Sequence, residues 1–336
     1  MGILFKGLMH KLEVLLLIFA ALVQIKFSKY SHYMSLIVIT GPTASGKTDL
    51  AIHIAQKLGT EIVSADSRQV YRGMEIGSAQ PNADQLEQVP HHFVACLDID
   101  EPFSAGDFAE QSKVLLKKLF ATHKHVVMVG GSGLYIKALL EGMNTFPDTD
   151  PNLRLALNKL YAEEGVGALQ QLLKEKDPVH YEHVDIQNHQ RLIRALEVCL
   201  SANKPFSYFQ QLPKQIPDFA SHIIVLDWPR DLLYQRINSR TDIMMEQGFL
   251  EEVRLLLPFA GLNPLNTIGY KEMFAHLRGE LSLDEAVMQI KQHTRNFAKR
   301  QLTWIRNQFK PHWIKPGTLA EMTSEITQQT QINIPQ

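Results

Sequence analysis

Short apolar runs alternate with amphipathic stretches along the chain after Met34. Brief apolar runs bounded by polar residues are typical of buried strands, and apolar positions recurring every three or four residues are typical of helices. The strand candidates are residues 36–40, 61–64, 125–129 and 222–227. The helix candidates are residues 47–58, 105–122, 134–141, 152–163, 166–174, 229–247 and 283–309. This alternation predicts an α/β fold with a parallel sheet flanked by helices.

A segment without strand candidates interrupts this alternation. Residues 147–151 combine two prolines with aspartates, a helix-start signal, and Gly165 separates the two helices that follow. We therefore predict a small all-helical insertion domain. A further helix from Asn188 is expected to lead back to the core. The predicted divisions are a core of residues 34–145 and 186–315, an insertion of residues 146–185, and a tail of residues 316–336.

The first 33 residues do not fit the α/β pattern. Residues 14–25 are apolar apart from Gln24 and are flanked by lysines, but twelve residues are few for a membrane span. We expect the domain to begin at Met34 and residues 1–33 to be an extension upstream of the true start. A weak membrane anchor is the competing interpretation.

Composition favours an ordinary enzyme and limits its partners. The 34 basic and 35 acidic residues nearly cancel, so a nucleic-acid surface would require local segregation of charge. The two cysteines, Cys96 and Cys199, fit neither a disulfide framework nor a metal site, which favours reduced thiols in a cytosolic protein. His91 and His92 are adjacent and lack matching ligands, so we expect no metal there.

A phosphate-binding loop follows the first strand. The motif G-x-x-x-x-G-K-[ST] is complete in Gly41, Pro42, Thr43, Ala44, Ser45, Gly46, Lys47 and Thr48. Its glycines allow successive backbone N–H groups to point inward, its lysine adds positive charge, and its threonine hydroxyl can bind Mg²⁺. The helix that follows directs its positive N-terminal end at the same anion. The strand before and the helix after favour a P-loop NTPase-like sheet over an unrelated glycine-rich turn.

Asp66 follows the second strand, where ligands bind in open parallel sheets. A carboxylate at this edge can act as a general base toward a nucleophile. The alternative is a loop or helix-capping aspartate. The next residues, 67–73, mix hydrogen-bonding, basic and aromatic side chains, which suits nucleic-acid contact but also an ordinary polar loop.

Two further segments carry candidate ligand contacts. Residues 130–133 contain three glycines and Ser132, and they either admit a ligand close to the backbone or form a tight connection. Arg236 and Arg240 lie four residues apart on one helix face, a spacing that suits a pyrophosphate. Pairing of these arginines with Asp231 or Asp242 is the alternative.

The long C-terminal helix segregates charge. Residues 291–310 contain six basic side chains and no acidic one, and Lys291, Arg295 and Lys299 recur every four residues. Such a stripe on a neutral protein indicates contact with a nucleic-acid backbone, although a solvated face is the alternative. Ile290, Phe297 and Trp304, spaced by seven, are expected to pack inward.

Taken together, these segments resemble the tRNA dimethylallyltransferase family, also called tRNA isopentenyltransferases. The matching segments are residues 41–48, 64–81, 129–135, 190–197, 267–272 and 294–301, in the family's order. Departures are mild: serine replaces threonine at Ser78 and Ser132, Gln80 replaces a lysine, and Lys271 replaces an arginine and loses its two-pronged donor geometry.

The resemblance implies transfer of a dimethylallyl group from dimethylallyl diphosphate to the N6 amine of the adenosine 3′ to the anticodon, in tRNAs that read codons beginning with U. It implies that the P-loop holds the donor diphosphate with Mg²⁺ on Thr48, that Asp66 takes the amine proton, and that Thr43 and Arg240 act in catalysis. A cytoplasmic monomer without stable membrane association is expected. The residues expected to contact the tRNA anticodon stem-loop are Asp66, Ser67, Arg68, Gln69, Ser132, Arg154, Gln190, Arg191, Leu192, Ile193, Arg194, Asn266, Thr267, Ile268, Gly269, Tyr270, Lys271, Gln292, His293, Thr294, Arg295, Asn296, Phe297, Ala298 and Lys299.

Three other functions share part of this pattern. A P-loop kinase of a small metabolite would use the loop and Mg²⁺ but has no need of a basic helix. An adenylate isopentenyltransferase would use the same chemistry on a free nucleotide. A non-catalytic RNA-binding protein would have the basic helix and would not depend on Asp66.

Overall fold

A single six-stranded parallel sheet forms the centre of the computed structural model, which describes residues 34–144, 146–212 and 216–335. The strand order is β3-β2-β4-β1-β5-β6. The strands are β1 Ser35–Thr40, β2 Ile62–Ser64, β3 His91–His92, β4 His125–Gly130, β5 Ala220–Leu226 and β6 His312–Ile314. The predicted α/β fold class is confirmed, and all four predicted strands are present.

Helices connect the strands and form the C-terminal part. They are α1 Lys47–Leu58, α2 Glu75–Ser78, α3 Ala83–Gln88, α4 Ala105–Leu119, α5 Gly133–Glu141, α6 Pro151–Glu164, α7 Val166–Lys176, α8 Pro178–Tyr181, α9 His189–Ala202, α10 Phe206–Gln210, α11 Arg230–Glu246, α12 Phe249–Leu255, α13 Tyr270–Leu277, α14 Leu283–Gln308 and α15 Leu319–Thr330. The residues predicted to form a tail include α15, which packs with α1.

Alternating side chains of β1 divide the core into two layers. Ile37 and Ile39 pack with α1 and α15 on one face. Leu36 and Val38 pack with α4 and α5 on the other face. Every residue of β1 is buried, as expected for a central strand of a sheet covered on both sides.

The parallel strands bring four loops to one edge of the sheet. The loops that follow β1, β2, β4 and β5 all start at the carboxyl ends of strands that are neighbours in the sheet. Thr40, at the end of β1, lies beside Gly130 of β4 and Val225 of β5. The P-loop, Asp66 and the glycine-rich segment therefore leave the sheet at the same edge.

The described chain divides into two compact units. One contains the sheet, with the described residues up to Leu140 and from Pro217 onward, and the other is Glu141–Ile216. The second unit is helical and longer than the predicted insertion of residues 146–185. The reason is that α9, expected to lead back to the core, packs on α6 and α7.

The predicted extension, residues 1–33, lies outside the described residues. Among the residues that the structure describes, none of the helices has both the length and the unbroken apolar character needed to cross a membrane.

The three glycines at the end of β4 and directly after it allow close packing against neighbouring elements. A Cβ on Gly130 would lie 2.1 Å from the carbonyl oxygen of Ala65, and one on Gly133 would lie 2.2 Å from the Trp304 ring. A side chain at Gly131 would meet the Gln301 amide at 2.9 Å. At all three positions the nearest atoms belong to neighbouring elements, as a tight connection requires.

Replacing Gly130 with alanine should destabilise the sheet unit by about 2 kcal/mol, because the new methyl group would overlap a backbone carbonyl that cannot rotate away. Urea unfolding would measure this loss. Gly261→Ala is the control, since a methyl group at that position would have no atom within 4 Å, and its effect should stay within about 0.5 kcal/mol. Equal stability of the two variants would contradict the packing role of Gly130.

Candidate active site

A cleft of about 710 Å³ opens at the carboxyl edge of the sheet. Its walls are the P-loop, the loops after β2 and β4, one face of α11, the segment before α13, and α14. All of these segments belong to the unit that contains the sheet. The predicted P-loop residues from Thr43 to Thr48, Asp66 and Arg240 all line this cleft.

The P-loop backbone has the geometry that its sequence predicts. Gly41, Ala44 and Gly46 have φ values of 139°, 62° and 85°. α1 begins at Lys47 directly after this turn, so its N-terminal amides face the cleft. The hydroxyl of Ser45 is buried and has no hydrogen-bond partner among the described residues. The loop therefore offers backbone and side-chain donors to an anion.

The Lys47 side chain contacts the backbone of the P-loop. Its Nζ donates a hydrogen bond to the carbonyl oxygen of Pro42 at 2.7 Å. Burial lowers the pKa of Lys47 to about 8, and Asp66 partly opposes this shift while Arg240 adds to it. A second anion in the cleft would favour the charged form of the lysine.

Because the pKa of Lys47 is lowered to about 8, the free enzyme loses the lysine charge as the pH rises above that value. We expect kcat/KM for a diphosphate substrate to fall about tenfold per pH unit above this pKa, since the neutral amine cannot neutralise the substrate. Steady-state rates between about pH 6.5 and about pH 9.5 would measure it. A profile that stays flat over that range would contradict a role for this ammonium group.

Of Arg236 and Arg240 on α11, Arg240 contacts a P-loop side chain. Its Nη1 donates a hydrogen bond to Oγ1 of Thr43. Burial lowers the pKa of Arg240, and the charge of Asp66 opposes that shift. Arg240 lines the cleft beside Thr43 and Lys47, so three of the predicted catalytic and diphosphate-binding groups converge.

Arg236 has a different environment from Arg240. Its Nε donates to the carbonyl oxygen of Ala44 at 2.7 Å, and its guanidinium lies 4.5 Å from the centre of the Trp228 ring. Trp228 in turn donates to the carbonyl oxygen of Ser45 at 2.8 Å. Asp242, one of the two carboxylates considered as partners for these arginines, pairs with Lys291. Arg236 therefore supports the loop from outside.

Asp66 both shapes its own loop and faces the cleft. Its Oδ1 accepts hydrogen bonds from the backbone N–H groups of Arg68 at 3.0 Å and Gln69 at 3.4 Å. This is the loop role considered as the alternative. The other oxygen, Oδ2, lies on the Gly131 side of the cleft. The two roles are compatible, because the turn uses Oδ1 and the residue also lines the cleft.

Gln301 joins the walls of the cleft. Its Oε1 accepts a hydrogen bond from the Thr43 N–H at 3.3 Å, and its Nε2 donates to the Gly131 carbonyl at 3.1 Å. Ser132 accepts from the Ser67 N–H at 2.8 Å and so links the loops after β2 and β4. No role for Gln301 was predicted from the sequence; the only signal was its place at the end of the segment 294–301.

Several predicted RNA contacts are supporting residues in this structure. Tyr270 is buried and donates a hydrogen bond to Glu252 at 2.7 Å, and Ala298 is buried against α11. The Gln69 side chain accepts a hydrogen bond from the Ser64 hydroxyl and donates one to the Ala79 carbonyl. These residues shape the wall, whereas Asn266, before α13, and Lys271, in its first turn, are exposed.

The basic stripe on α14 has two different parts. Lys291 pairs with Asp242 at 2.5 Å, and Arg295 donates to Asn238 at 2.6 Å, so both contact α11. Lys299 and the neighbouring Arg300 are exposed. The prediction that Phe297 packs inward is wrong: its side chain is 40% exposed and lines the cleft.

The remaining predicted RNA contacts differ in exposure. The lining of the cleft includes Arg68, Thr267, Ile268, Gly269 and Thr294. The exposed residues of α14 include Gln292, His293 and Asn296. In the helical unit, Arg154, Gln190 and Arg191 are exposed and Arg194 is half-buried. Leu192 and Ile193 are buried in the core of that unit, so they position their neighbours on α9.

The donor set at the P-loop suits a magnesium ion that binds mainly through the substrate. The described residues contain no group of three or more His, Cys, Asp or Glu side chains arranged to hold a metal. Thr48 lines the cleft near the buried hydroxyl of Ser45, which has no partner among the described residues. Mg²⁺ commonly takes few protein ligands and completes its shell with phosphate oxygens and water, which fits this arrangement.

Comparison with known proteins gives one consistent result. The family model described as IPP transferase matches residues 69–308. A tRNA dimethylallyltransferase of Christiangramia forsetii is 47% identical over 280 residues, which cover 83% of this chain and 93% of the relative. The crystal structure of a tRNA delta(2)-isopentenylpyrophosphate transferase from Staphylococcus epidermidis superposes with a TM-score of 0.64 at 36% identity, covering 89% of this chain and 99% of that one. A eukaryotic dimethylallyltransferase acting on tRNA has the same fold, with a TM-score of 0.74 at 23% identity, covering 88% of this chain and 77% of that one.

Proposed function

The chain belongs to the IPP transferase family of tRNA dimethylallyltransferases, and on this premise we propose how its cleft carries out the reaction. The reaction joins the dimethylallyl group of dimethylallyl diphosphate to the N6 amine of the adenosine 3′ to the anticodon, in tRNAs that read codons beginning with U. The product is N6-isopentenyladenosine. The observation that carries the proposal is the convergence of a P-loop and a facing carboxylate in one cleft.

The P-loop side of the cleft binds the donor. The backbone amides at the start of α1 and the buried Ser45 hydroxyl contact the diphosphate, and Lys47 and Arg240 neutralise its charge. Mg²⁺ held by Thr48 and the diphosphate would supply further neutralisation of the leaving group. Charges already in place where negative charge develops are often the largest contribution to catalysis.

Asp66 lines the same cleft and acts on the acceptor. The adenine N6 attacks the allylic carbon, the bond from that carbon to the diphosphate oxygen breaks, and the amine proton passes to Asp66. Pyrophosphate leaves with the electron pair of the broken bond and so carries the negative charge that develops. An adenine amine is a weak nucleophile, so the base must be unstacked and held in line with the allylic carbon. Phe297, exposed at the cleft, is suited to stack on it.

The proposed tRNA surface includes two basic residues of α14, Arg295, which is half-buried beside α11, and Lys299, which is exposed. Replacing Arg295 and Lys299 together with alanine should weaken tRNA binding, since two charges near the phosphate backbone are lost. The slope of log affinity against log salt should decrease by about 1.5. Lys117→Ala with Lys118→Ala is the matched control, because it removes two exposed charges from α4. An unchanged slope in the α14 variant would remove this helix from the interface.

Mass spectrometry of tRNA nucleosides tests the proposed reaction directly. Incubation of unmodified tRNA with dimethylallyl diphosphate, Mg²⁺ and the protein should yield N6-isopentenyladenosine. Transfer of labelled γ-phosphate from ATP to a small acceptor, without prenylated tRNA, would instead identify a kinase. Prenylation of free adenylate but not of tRNA would identify an adenylate isopentenyltransferase.

We further propose a cytoplasmic location, where tRNA is available, and a monomeric state. Both free cysteines fit a reducing compartment, since Cys199 is buried and Cys96 is exposed without a partner thiol among the described residues.

A further inference from the structure

A carboxylate lies in the apolar core of the helical unit. Glu197 is on α9 and is 1% exposed, and its neighbours Leu196 and Val198 are also buried. A buried charge is expensive to desolvate, and replacing a buried ion pair with well-packed apolar residues is often neutral or stabilising. Stability alone therefore gives no reason for a glutamate at this position.

Glu197 holds two arginines that extend outward. Arg154 of α6 donates through Nε to Oε1 and through Nη2 to Oε2, the latter at 2.6 Å. Nη1 of Arg194, one turn earlier on α9, lies 3.6 Å from Oε2. The arginine side chains are 50% and 43% exposed, whereas that of Glu197 is 2% exposed. The carboxylate is thus at the base of the cluster and the guanidiniums are at its surface.

Neighbouring groups restrict the orientation of both arginine side chains in this cluster. The two-pronged contact orients the Arg154 guanidinium plane, because both bonds lie in that plane. Arg194 also lies 3.5 Å from the Thr149 hydroxyl and 5.8 Å from the centre of the Phe146 ring. Two positive charges and one negative charge leave a net charge of +1, with N–H groups still available on the exposed sides of the guanidiniums.

We propose that Glu197 is a positioning residue for tRNA binding, which orients Arg154 and Arg194 toward a backbone phosphate of the substrate. Ordering two long side chains before binding lowers the entropy lost when the phosphate is bound. This inference rests on the proposed function, because it supposes that the helical unit contacts tRNA.

The direction of the change in tRNA binding separates a positioning role of Glu197 from a purely electrostatic effect of its charge. Glu197→Gln removes one negative charge, so charge alone predicts tighter binding of tRNA. If Arg154 and Arg194 lose their orientation, tRNA should instead bind more weakly. We expect KM for tRNA to rise about tenfold, the size of one lost charged hydrogen bond. KM for dimethylallyl diphosphate and kcat should stay within about twofold.

The test compares four variants with the unsubstituted enzyme. Glu163→Gln is the matched control, because it removes an exposed carboxylate from the same unit. The double variant Arg154→Ala with Arg194→Ala should raise KM for tRNA, and adding Glu197→Gln to it should change KM no further, since the glutamate acts through those arginines. Thermal unfolding shows whether each variant is folded.

Three outcomes would overturn the proposal. They are an unchanged or lower KM for tRNA in a folded Glu197→Gln variant, an equal rise in Glu163→Gln, and a further rise when Glu197→Gln is added to the double arginine variant. If Glu197→Gln unfolds, Glu197→Asp keeps the charge but shortens the reach, and it must raise KM for tRNA in a folded protein. Failure of the proposed function is distinct, because the unsubstituted enzyme would then form no prenylated tRNA.

Discussion

Asp66→Ala is expected to reduce kcat for prenyl transfer about a thousandfold or more while tRNA affinity stays within about twofold. The reason is that Asp66 would take the proton from a weak nucleophile and would contribute little to the affinity for tRNA. Single-turnover formation of N6-isopentenyladenosine and a filter-binding titration of tRNA measure the two quantities separately.

Asp66→Asn is the control that separates the proposed role of Asp66 as a general base from its role in holding the loop after β2. Asparagine can still accept the hydrogen bonds from the Arg68 and Gln69 N–H groups, but it cannot take a proton. We expect the two variants to be equally inactive. Full activity of Asp66→Asn would show that Asp66 only shapes its turn, and a loss of tRNA binding parallel to activity would contradict its role as the base.

The pH of this comparison matters because Asp66 raises the pKa of Lys47. Removing the carboxylate lowers that pKa further, so a larger fraction of the lysine would be neutral near pH 8 than in the unsubstituted enzyme. Measurements near about pH 6.5 keep Lys47 charged in all variants. The activity difference then reports Asp66 alone.

Arg240→Ala should lower kcat between about a hundredfold and a thousandfold, as expected when a donor that stabilises developing charge is removed. Arg240 contacts Thr43 and lines the cleft. Product pyrophosphate should also inhibit the variant more weakly, because the same side chain would bind it.

Arg236→Ala is the matched control, one helical turn away on α11. Arg236 contacts the outside of the P-loop at the Ala44 carbonyl and lies on the Trp228 ring. Its loss should reduce kcat by less than about tenfold. Equal effects of the two substitutions would show that both arginines act by supporting the loop.

Local sequence signals predicted the elements that depend on short-range interactions. Strands β1, β2, β4 and β5 and helix α1 were expected within a few residues of their observed ends. Strands β3 and β6 were not predicted; both are short and lie at the edges of the sheet, where each pairs with a single neighbouring strand. Helix α15 was also missed.

Residue spacing did not predict burial where packing decides the environment. Phe297 continues a seven-residue repeat from the buried Ile290, but the residue that packs against α11 is its neighbour Ala298. A long helix that contacts different elements along its length does not keep one face buried throughout. Arg236 and Arg240 illustrate the same limit, since side chains on one helix face reach different partners.

The anion-binding loop and the alternation that produces a parallel sheet follow from residues that are close together in the chain, and the ordered motifs are sufficient for the family resemblance. Which side chains meet in the cleft depends on how the elements pack. Thr43 and Gln301 are 258 positions apart, and their hydrogen bond exists only because α14 docks beside the sheet. Such contacts depend on the packing of whole elements, which no local pattern in the chain records.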